Sequence, residues 1–417
     1  MTNLHNLKGK TLLMLDGTAN MINIVQRAKE LGIHTVIANF YEPEKAKAKL
    51  FADEYEVVDI SDIDAMEHVA RKHNVDGILQ GVPEAHLKYY WELCRRMGLP
   101  CYGKPELFEL SIDKKKIKAE CRKYNIPVTP EYHSADNVPE KAYPVIVKPA
   151  DGSGSRGFSI CRNISELREA CNKAREYSSS GEVLIEKFMS YERSAIIHYT
   201  IVDGNIYYCG MSDKFSAKVS EDGSPIMALQ YFPSESENEY LAGMNENVIH
   251  MLEGLGFRNG PVWIEAFHDS NGFTFNEMGY RFGGSLTYYP VEFMTGINQL
   301  DLLIEYALTG KYESLPLPKP RHEGVYCIFP MHVRPGVIKA VRGVNELKRR
   351  PELVAFVPFH MEGDIIEAWG SAKQVFSYIH FTASDRPEAE RFIDWIIETL
   401  SVEGESGEQL LYNIYRR

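Results

Sequence analysis

The first hundred or so residues alternate short apolar runs with helical patterns, and this rhythm constrains the fold more than any other feature of the chain. "KTLLMLD" is followed by "MINIVQRAKELG", "HTVIANF" by "PEKAKAKLFA", "YEVVDI" by "DAMEHVARKH", and "GILQGV" by "EAHLKYYWELCRRMG". Strands separated by helices of this length pair in parallel through crossover connections, so the region should be a sheet covered by helices on both faces. A dinucleotide-binding domain is the immediate candidate. However, the first strand-to-helix turn, "DGTANMIN", has one glycine where that fingerprint needs three. The expectation is a Rossmann-like shape without a dinucleotide site.

Beyond it the pattern changes. In "GLPCYGKPELFELSIDKKKIKAECRKYNIPVTPEY", Ile117, Cys121 and Tyr124 lie at helical spacing with lysines opposite, and the helix must stop before Pro127 and Pro130. From residue 143 the runs are strand-like ("PVIVKP", "GFSIC", "EVLIEKF", "RSAIIHYTIVDGNIYYCG"), with one helix, "SELREACNKAREY", among them. After the turn-rich "YESLPLPKPRHEG", further strands and the helix "RPEAERFIDWIIETL" read as a smaller third α/β unit. The expected division is 1–108, 109–318 (with a flap subdomain over roughly 130–190) and 319–417. A chain of 417 residues, 44% of them hydrophobic, suits about three domains.

Charge and composition exclude several classes. With a net charge of −12 and a single dense basic cluster, "DKKKIK", no nucleic-acid partner is expected. The start, "MTNLHNLKGKTLLMLDG", does not resemble a signal peptide, and no window approaches the roughly 18 apolar residues of a membrane span, so a cytoplasmic protein is expected. Seven cysteines without a C-x-x-C pair read as reduced, mostly buried side chains.

Residues 148–160, "KPADGSGSRGFSI", match G-x-G-x-x-G over Gly152 to Gly157. A Walker A loop is excluded, because Phe158 follows the last glycine where lysine is required. A dinucleotide loop must open a helix directly, whereas "FSICRN" reads as a strand and the helix begins near Ser165. What fits is a hairpin flap whose backbone N–H groups, at Ser153, Gly154, Ser155 and Gly157, close over phosphates while Lys148 projects from the preceding strand. Taken alone, the loop does not distinguish this from an ordinary glycine-rich turn.

"GPVWIEAFHDSNGFTFNEMGYRFGGS" carries the second signal. Two apolar strands flank a turn, and a three-residue loop, Ser270 to Gly272, sets Glu265 directly opposite Glu277 on one face. Like charges in that position among Trp263, Phe267 and Phe275 require a cation, and an all-oxygen ligand set favours Mg²⁺ carrying phosphates over zinc. Arg281 follows as a fixed positive fork, and Gly283 and Gly284 leave room for a substrate. Two solvated surface glutamates are the alternative. The arginine, the glycine pair and the upstream lysine with its flap weigh against it.

Together these residues resemble the ATP-grasp superfamily of carboxylate-amine and carboxylate-thiol ligases, over most of the chain. The resemblance implies an α/β and α+β multidomain fold: a Rossmann-like N-terminal domain, a two-lobed ATP-grasp domain and a small α/β C-terminal domain. It assigns Lys114, in an Asp-Lys pair, and Lys148 to the nucleotide, and the hinge "EKFM" (Glu186, Lys187, Phe188, Met189) to adenine, with the main chain of Lys187 and Met189 bonding the base. Glu192 would take the ribose, Glu265 and Glu277 the metal (Mg²⁺ or Mn²⁺), and Arg281 and Lys148 the transferred phosphoryl group. Lys214 either reaches phosphate from a mobile loop or is solvated. Gly279 departs from the family, which commonly has Asn there, so a third ligand must come from Asn276 or from water. His198, His268 and His332 read as packed, hydrogen-bonded histidines rather than ligands.

The implied chemistry is activation of a small carboxylate by ATP as an acyl phosphate, which an amine then displaces. A kinase acting on a hydroxyl and a weakly catalytic nucleotide-binding protein are the rivals. The expected partners are small carboxylate and amine substrates, with a homodimer as a further option.

Overall fold

The computed structural model describes residues 4–151, 157–190, 193–217, 225–313, 315–316, 318–319, 323–367 and 372–415. Its N-terminal part is the expected parallel sheet, made of β1 (Thr11–Leu15), β2 (His34–Asn39), β3 (Glu54–Val57) and β4 (Gly77–Gln80) in the order β3-β2-β1-β4. The central strands are unbroken apolar runs because helices cover both their faces. β4 is buried throughout, and only Thr11 at the edge of β1 is partly exposed. The turn after β1 explains why one glycine is enough. The Asp16 carboxylate accepts the N–H groups of Gly17 (2.6 Å) and Thr18 (3.0 Å) and the Thr18 hydroxyl (2.8 Å), so the donors that a pyrophosphate would use are already occupied.

A second, smaller sheet holds β5 (Glu131–Tyr132), β6 (Val145–Pro149), β7 (Ser159–Cys161) and β8 (Val183–Lys187), antiparallel in the order β5-β8-β6-β7. The helix Ile164–Glu176, capped by Asn163 on the Glu166 N–H, covers it with Leu167, Ala170, Cys171 and Ala174. β6 and β7 are the two arms of the glycine hairpin, so the string is followed by a strand, as a flap requires.

The third sheet is the largest. It takes β9 (Arg193–Val202), β10 (Asn205–Ala217), β11 (Ile226–Phe232), β12 (Gly260–Asp269), β13 (Gly272–Gly279) and β14 (Val325–Val333) from mid-chain. After β15 (Gly336–Val337) and β16 (Ala340–Arg342), the chain returns to it with β17 (Leu353–Pro358). β18 (Ile365–Ile366) and β20 (Ser401–Glu403) pair with β15 and β16, while β19 (Val375–Ala383) and β21 (Leu411–Tyr412) rejoin the large sheet. Its order is β13-β12-β9-β10-β11-β14-β19-β17, with β21 against β14. Of the strands beyond residue 319, β14, β17, β19 and β21 extend the mid-chain sheet, whereas β15 with β18 and β16 with β20 form two small sheets of their own. The helix Arg386–Thr399 packs on one face, and Phe392, Ile393 and Ile396 lie in one core with Cys327, Phe329, Ile379 and Phe381. Such burial contributes about 2 kcal/mol per large side chain. We keep the limits 1–108, 109–318 and 319–417 as a proposal.

All seven cysteines are free, and six of them are buried. Among the described residues no helix is long and apolar enough to cross a membrane. His198 and His332 are buried as expected. His268 is more exposed, between the Ser236 hydroxyl (3.1 Å) and Glu239 (3.0 Å).

Candidate functional site

Glu265 and Glu277 are directly paired across β12 and β13, but the register arises differently from the expectation. Asp269 pairs with Gly272, so the turn is two residues long, Ser270 and Asn271, and Gly272 takes the positive φ of +95°. A bulge between Glu265 and Ala266 then inserts Asn276 as an extra residue and brings the glutamates level again. The bulge also turns Asn276 toward them. Its amide nitrogen lies 3.4 Å from Glu265 Oε2, and its oxygen accepts from Lys148 Nζ at 3.2 Å.

Glu265 is almost fully buried. Its Oε1 accepts from the Ser194 hydroxyl (2.6 Å) and from Lys214 Nζ (2.7 Å). Burial opposes its charge, yet the Lys214 ammonium and these hydrogen bonds hold the carboxyl below its ordinary value. Lys214 sits on β10, opposite Ser194 of β9, and not on a loop; strand register aims it at Glu265. Glu277 is looser, with Oε2 3.8 Å from Lys114 Nζ and a third of its side chain exposed (34%).

Lys114 begins the helix Lys114–Lys123, whose N-cap Asp113 accepts the N–H groups of Lys115 and Lys116. Lys115 and Lys116 turn outward to Glu182 and Glu109. Lys118 does not lie opposite the apolar face: it is fully buried, bonded to Glu186 and 3.5 Å from Glu131. The sequence reading missed this residue, although its i+4 spacing from Lys114 and i+3 spacing to the buried Cys121 put it on the inward face. Glu186, also fully buried, holds Lys148 Nζ at 2.8 Å through its other oxygen. Burial again opposes the charge of Glu186, but the two lysines outweigh it and lower its pKa.

The hinge beyond Glu186 borders a cavity of about 380 Å³, lined by Lys187, Phe188, Met189 and Arg193 on one side and Phe267 and His268 on the other. Phe267 is two residues from Glu265 on β12, hence on the same face, so cavity and carboxylates share one side of the sheet. The Lys187 N–H already donates to the Pro130 carbonyl at 2.9 Å, and the Phe188 N–H to Pro144 at 3.3 Å, so Lys187 has no N–H left for a base. Ser153, Gly154, Ser155 and Glu192 lie outside the described residues. Gly157 closes the glycine loop at φ +73°, where a Cβ would press on Pro149 at 3.0 Å and Tyr177 at 3.1 Å.

Arg281 is held by Glu84 of the N-terminal part (Nη2 to Oε1, 2.8 Å) and by the Phe282 carbonyl (2.6 Å), with its guanidinium 5.2 Å from the Trp263 ring. Glu84 was not foreseen, because a contact across 197 residues leaves no local spacing to read. Gly279 has a physical reason. It pairs with Trp263, whose indole would lie 2.4 Å from a Cβ there, so the position is closed to asparagine. Of the two glycines expected to leave room, Gly284 does so, since among the described residues a Cβ there would meet Val82 at an ordinary 3.7 Å, whereas at Gly283 it would press on the Thr287 hydroxyl at 2.5 Å.

Residues 113–258 match the family of the carbamoyl-phosphate synthase L chain, ATP binding domain. An uncharacterized protein, y4rH, of Sinorhizobium fredii is 24% identical, over 94% of this chain and 82% of its own length. The L-amino acid ligase from Bacillus licheniformis superposes at a TM-score of 0.75 with 20% identity, covering 95% of this chain and 99% of that one. The biotin carboxylase domain dimer of Hydrogenobacter thermophilus 2-oxoglutarate carboxylase, in complex with MgADP, ADP and bicarbonate, superposes at 0.77 with 19% identity, covering 96% and 91%. Residues 113–258 are thus similar to the ATP binding domain of the carbamoyl-phosphate synthase L chain, and the whole chain shares the fold of the L-amino acid ligase and of the biotin carboxylase domain.

Proposed function

We propose that this protein is an ATP- and Mg²⁺-dependent ligase that joins a small carboxylate, such as an amino acid, to an amine through an acyl phosphate. The supporting observation is the convergence on one face of two opposed carboxylates, Glu265 and Glu277, with Lys114, Lys148, Lys214 and Arg281 nearby. Four cations around two carboxylates suit a polyanion that brings its own metal.

The donor set fits that metal. Glu265, Glu277 and the Asn276 oxygen are all hard oxygens, and the Lys214 ammonium at 2.7 Å already occupies a cation position on Glu265. Among the described residues no cluster of three His, Cys, Asp or Glu could form a closed metal cage. Mg²⁺ bound by these residues would offset charge on the β- and γ-phosphates and keep its other positions for water and phosphate oxygens. The amide of Asn276 takes the role that Gly279 cannot fill.

Each residue then has a task. The cavity at Lys187, Phe188 and Met189 receives the base, and Lys148 and Lys114 bind phosphate oxygens. The substrate carboxylate attacks the γ-phosphorus, forming a P–O bond as the bond to ADP breaks. Arg281, fixed by Glu84 and Trp263, steadies the resulting acyl phosphate. The amine then attacks the acyl carbon, a C–N bond replaces the C–O bond to phosphate, and the amine proton leaves to solvent. No side-chain nucleophile is required, since positioning and electrostatics carry the rate. We also propose a cytoplasmic setting and, after the biotin carboxylase dimer, a homodimer.

Phosphate release from MgATP, measured across amino acids and small carboxylates offered singly and in pairs with amines, tests the reading. Release that needs a carboxylate and an amine together is expected. Formation of ADP with a hydroxyl compound alone, without release of free phosphate, would replace the ligase with a kinase.

A further inference from the structure

Glu186 is fully buried and touches two lysines, one more than a single carboxylate needs. Among the described residues the hinge cluster contains three cations, Lys118, Arg122 and Lys148, and two carboxylates, Glu131 and Glu186. Arg122 pairs with Glu131 at 2.5 Å, and Lys118 bridges Glu131 and Glu186. The charge in surplus belongs to Lys148.

The two lysines on Glu186 differ in what they can reach. Lys148 also donates to Asn276, beside Glu265, so its ammonium already faces the carboxylate pair. Lys118 has no exposed surface and, among the described residues, no partner on that side. Were Lys148 the only partner of Glu186, moving its ammonium to a phosphate would strand a carboxylate in a dry interior, at a cost of several kcal/mol. With Lys118 in place that cost does not arise.

We propose that Lys118 is the resident counter-ion of Glu186 and thereby frees Lys148 to hand its ammonium over to the nucleotide phosphates. Lys118 is a positioning residue: it touches neither base nor phosphate and acts through Glu186. The inference rests on the reading of Lys148 as a phosphate-binding lysine. Helix geometry supports it, because the i,i+4 pair Lys114 and Lys118 delivers one cation to Glu277 and one to Glu186 from a single rigid helix.

The test is calorimetric titration of the full chain with MgATP and, separately, with adenosine, which lacks phosphates. In Lys118→Met, Glu186 retains Lys148, so MgATP affinity should fall about tenfold or more while adenosine affinity stays within about twofold. Adding Glu186→Gln to that variant removes the hold on Lys148 and should restore MgATP binding. Equal losses for MgATP and adenosine in Lys118→Met would mark Lys118 as merely structural and overturn the handover. So would a double variant that still binds MgATP poorly. If Lys118→Met alone fails to fold, the double variant, in which both buried charges are gone, decides the matter: MgATP binding near that of the parent supports the handover, and binding as weak as in Lys148→Met overturns it. A parent protein that binds no MgATP overturns the nucleotide reading itself, whereas failure of the handover leaves parental binding intact.

Discussion

The hinge cluster and the carboxylate hairpin are built from the same parts, lysines against glutamates, yet they are finished differently. At the hinge, Glu186 and Lys118 are both fully buried, and each is paired at contact distance. At the hairpin, Glu265 is held tightly, but its partner Glu277 is 34% exposed and meets Lys114 only at 3.8 Å. The hinge pairs both of its carboxylates within the protein and keeps Lys148 as its spare cation. The hairpin leaves one carboxylate loosely neutralised at an open edge, where an incoming cation can displace lysine. The looseness of one carboxylate, Glu277, rather than residue type, separates the framework from the proposed reacting site.

The largest effect should come from the loose end. Glu277→Gln is expected to lower kcat/KM for phosphate release by about a hundred- to a thousandfold, the usual loss when one charge-stabilising group is removed. Its unfolding midpoint in urea should barely move, since an exposed, poorly paired carboxylate contributes little stability. Undiminished turnover would remove Glu277 from the metal site. The mirror image is Glu186→Gln at the hinge. It leaves Lys118 buried beside a neutral amide, and the expected cost is about 3 kcal/mol of unfolding free energy, read from urea titration. A change in Glu186→Gln as small as that in Glu277→Gln would erase the distinction between the two regions.

The difference also governs what the sequence could disclose. The alternating first hundred residues, the strand after the glycine loop and the opposition of Glu265 to Glu277 all follow from local periodicity, and each was legible. The turn length was not: a two-residue turn plus a bulge gives the same pairing of glutamates as a three-residue loop, and periodicity near the glutamates cannot tell them apart. The bulge supplies Asn276, so the detail hidden from the sequence is the one that would complete the proposed ligand set. Lys118 and Glu84 were missed for another reason. Their roles come from tertiary partners, Glu186 lying 68 residues from Lys118 and Arg281 lying 197 from Glu84. That β14, β17 and β19 continue the mid-chain sheet is likewise a pairing choice that composition does not encode.

A smaller effect separates these ion pairs from the neutral core. Burial pushes His198 and His380 down to about 3 and His332 down to about 4, so all three are uncharged in the fold. Unfolded histidine titrates near its ordinary value of about 6.5, so between these values the unfolded chain binds more protons and stability rises with pH. The contribution is complete above about pH 6.5 and shrinks as pH falls, by about 2 kcal/mol per histidine at pH 5. Glu186 and Glu265, with lowered values, stay ionised through that range and begin to lose their contribution only as pH falls through the ordinary carboxylate range. Acid should therefore weaken the apolar core before it weakens either ion cluster. Urea midpoints at pH 7 and pH 5 check this, and His198→Phe should flatten the slope; identical midpoints at the two pH values would contradict the assignment.

The smallest effect concerns Gly279, where the hairpin departs from the pattern that it otherwise resembles. Gly279 faces Trp263 so closely that an added Cβ would lie 2.4 Å from the indole, and Trp263 in turn carries Arg281 on its face. Gly279→Ala should therefore cost about 1–3 kcal/mol through overpacking and should lower turnover by displacing the indole under Arg281. If the clash is the whole cause, the same substitution made in a Trp263→Ala background should be nearly free, and the double-mutant cycle should return most of the cost as coupling between the two positions. A cycle without coupling would mean that glycine is kept for its backbone. Gly279 is not among the glycines with positive φ, so its backbone gives no reason for that outcome, and the indole remains the cause. The proposed metal edge would then owe its ligand set to a trade between strands: Trp263 takes the space of a side chain at 279, and the bulge returns an amide at 276.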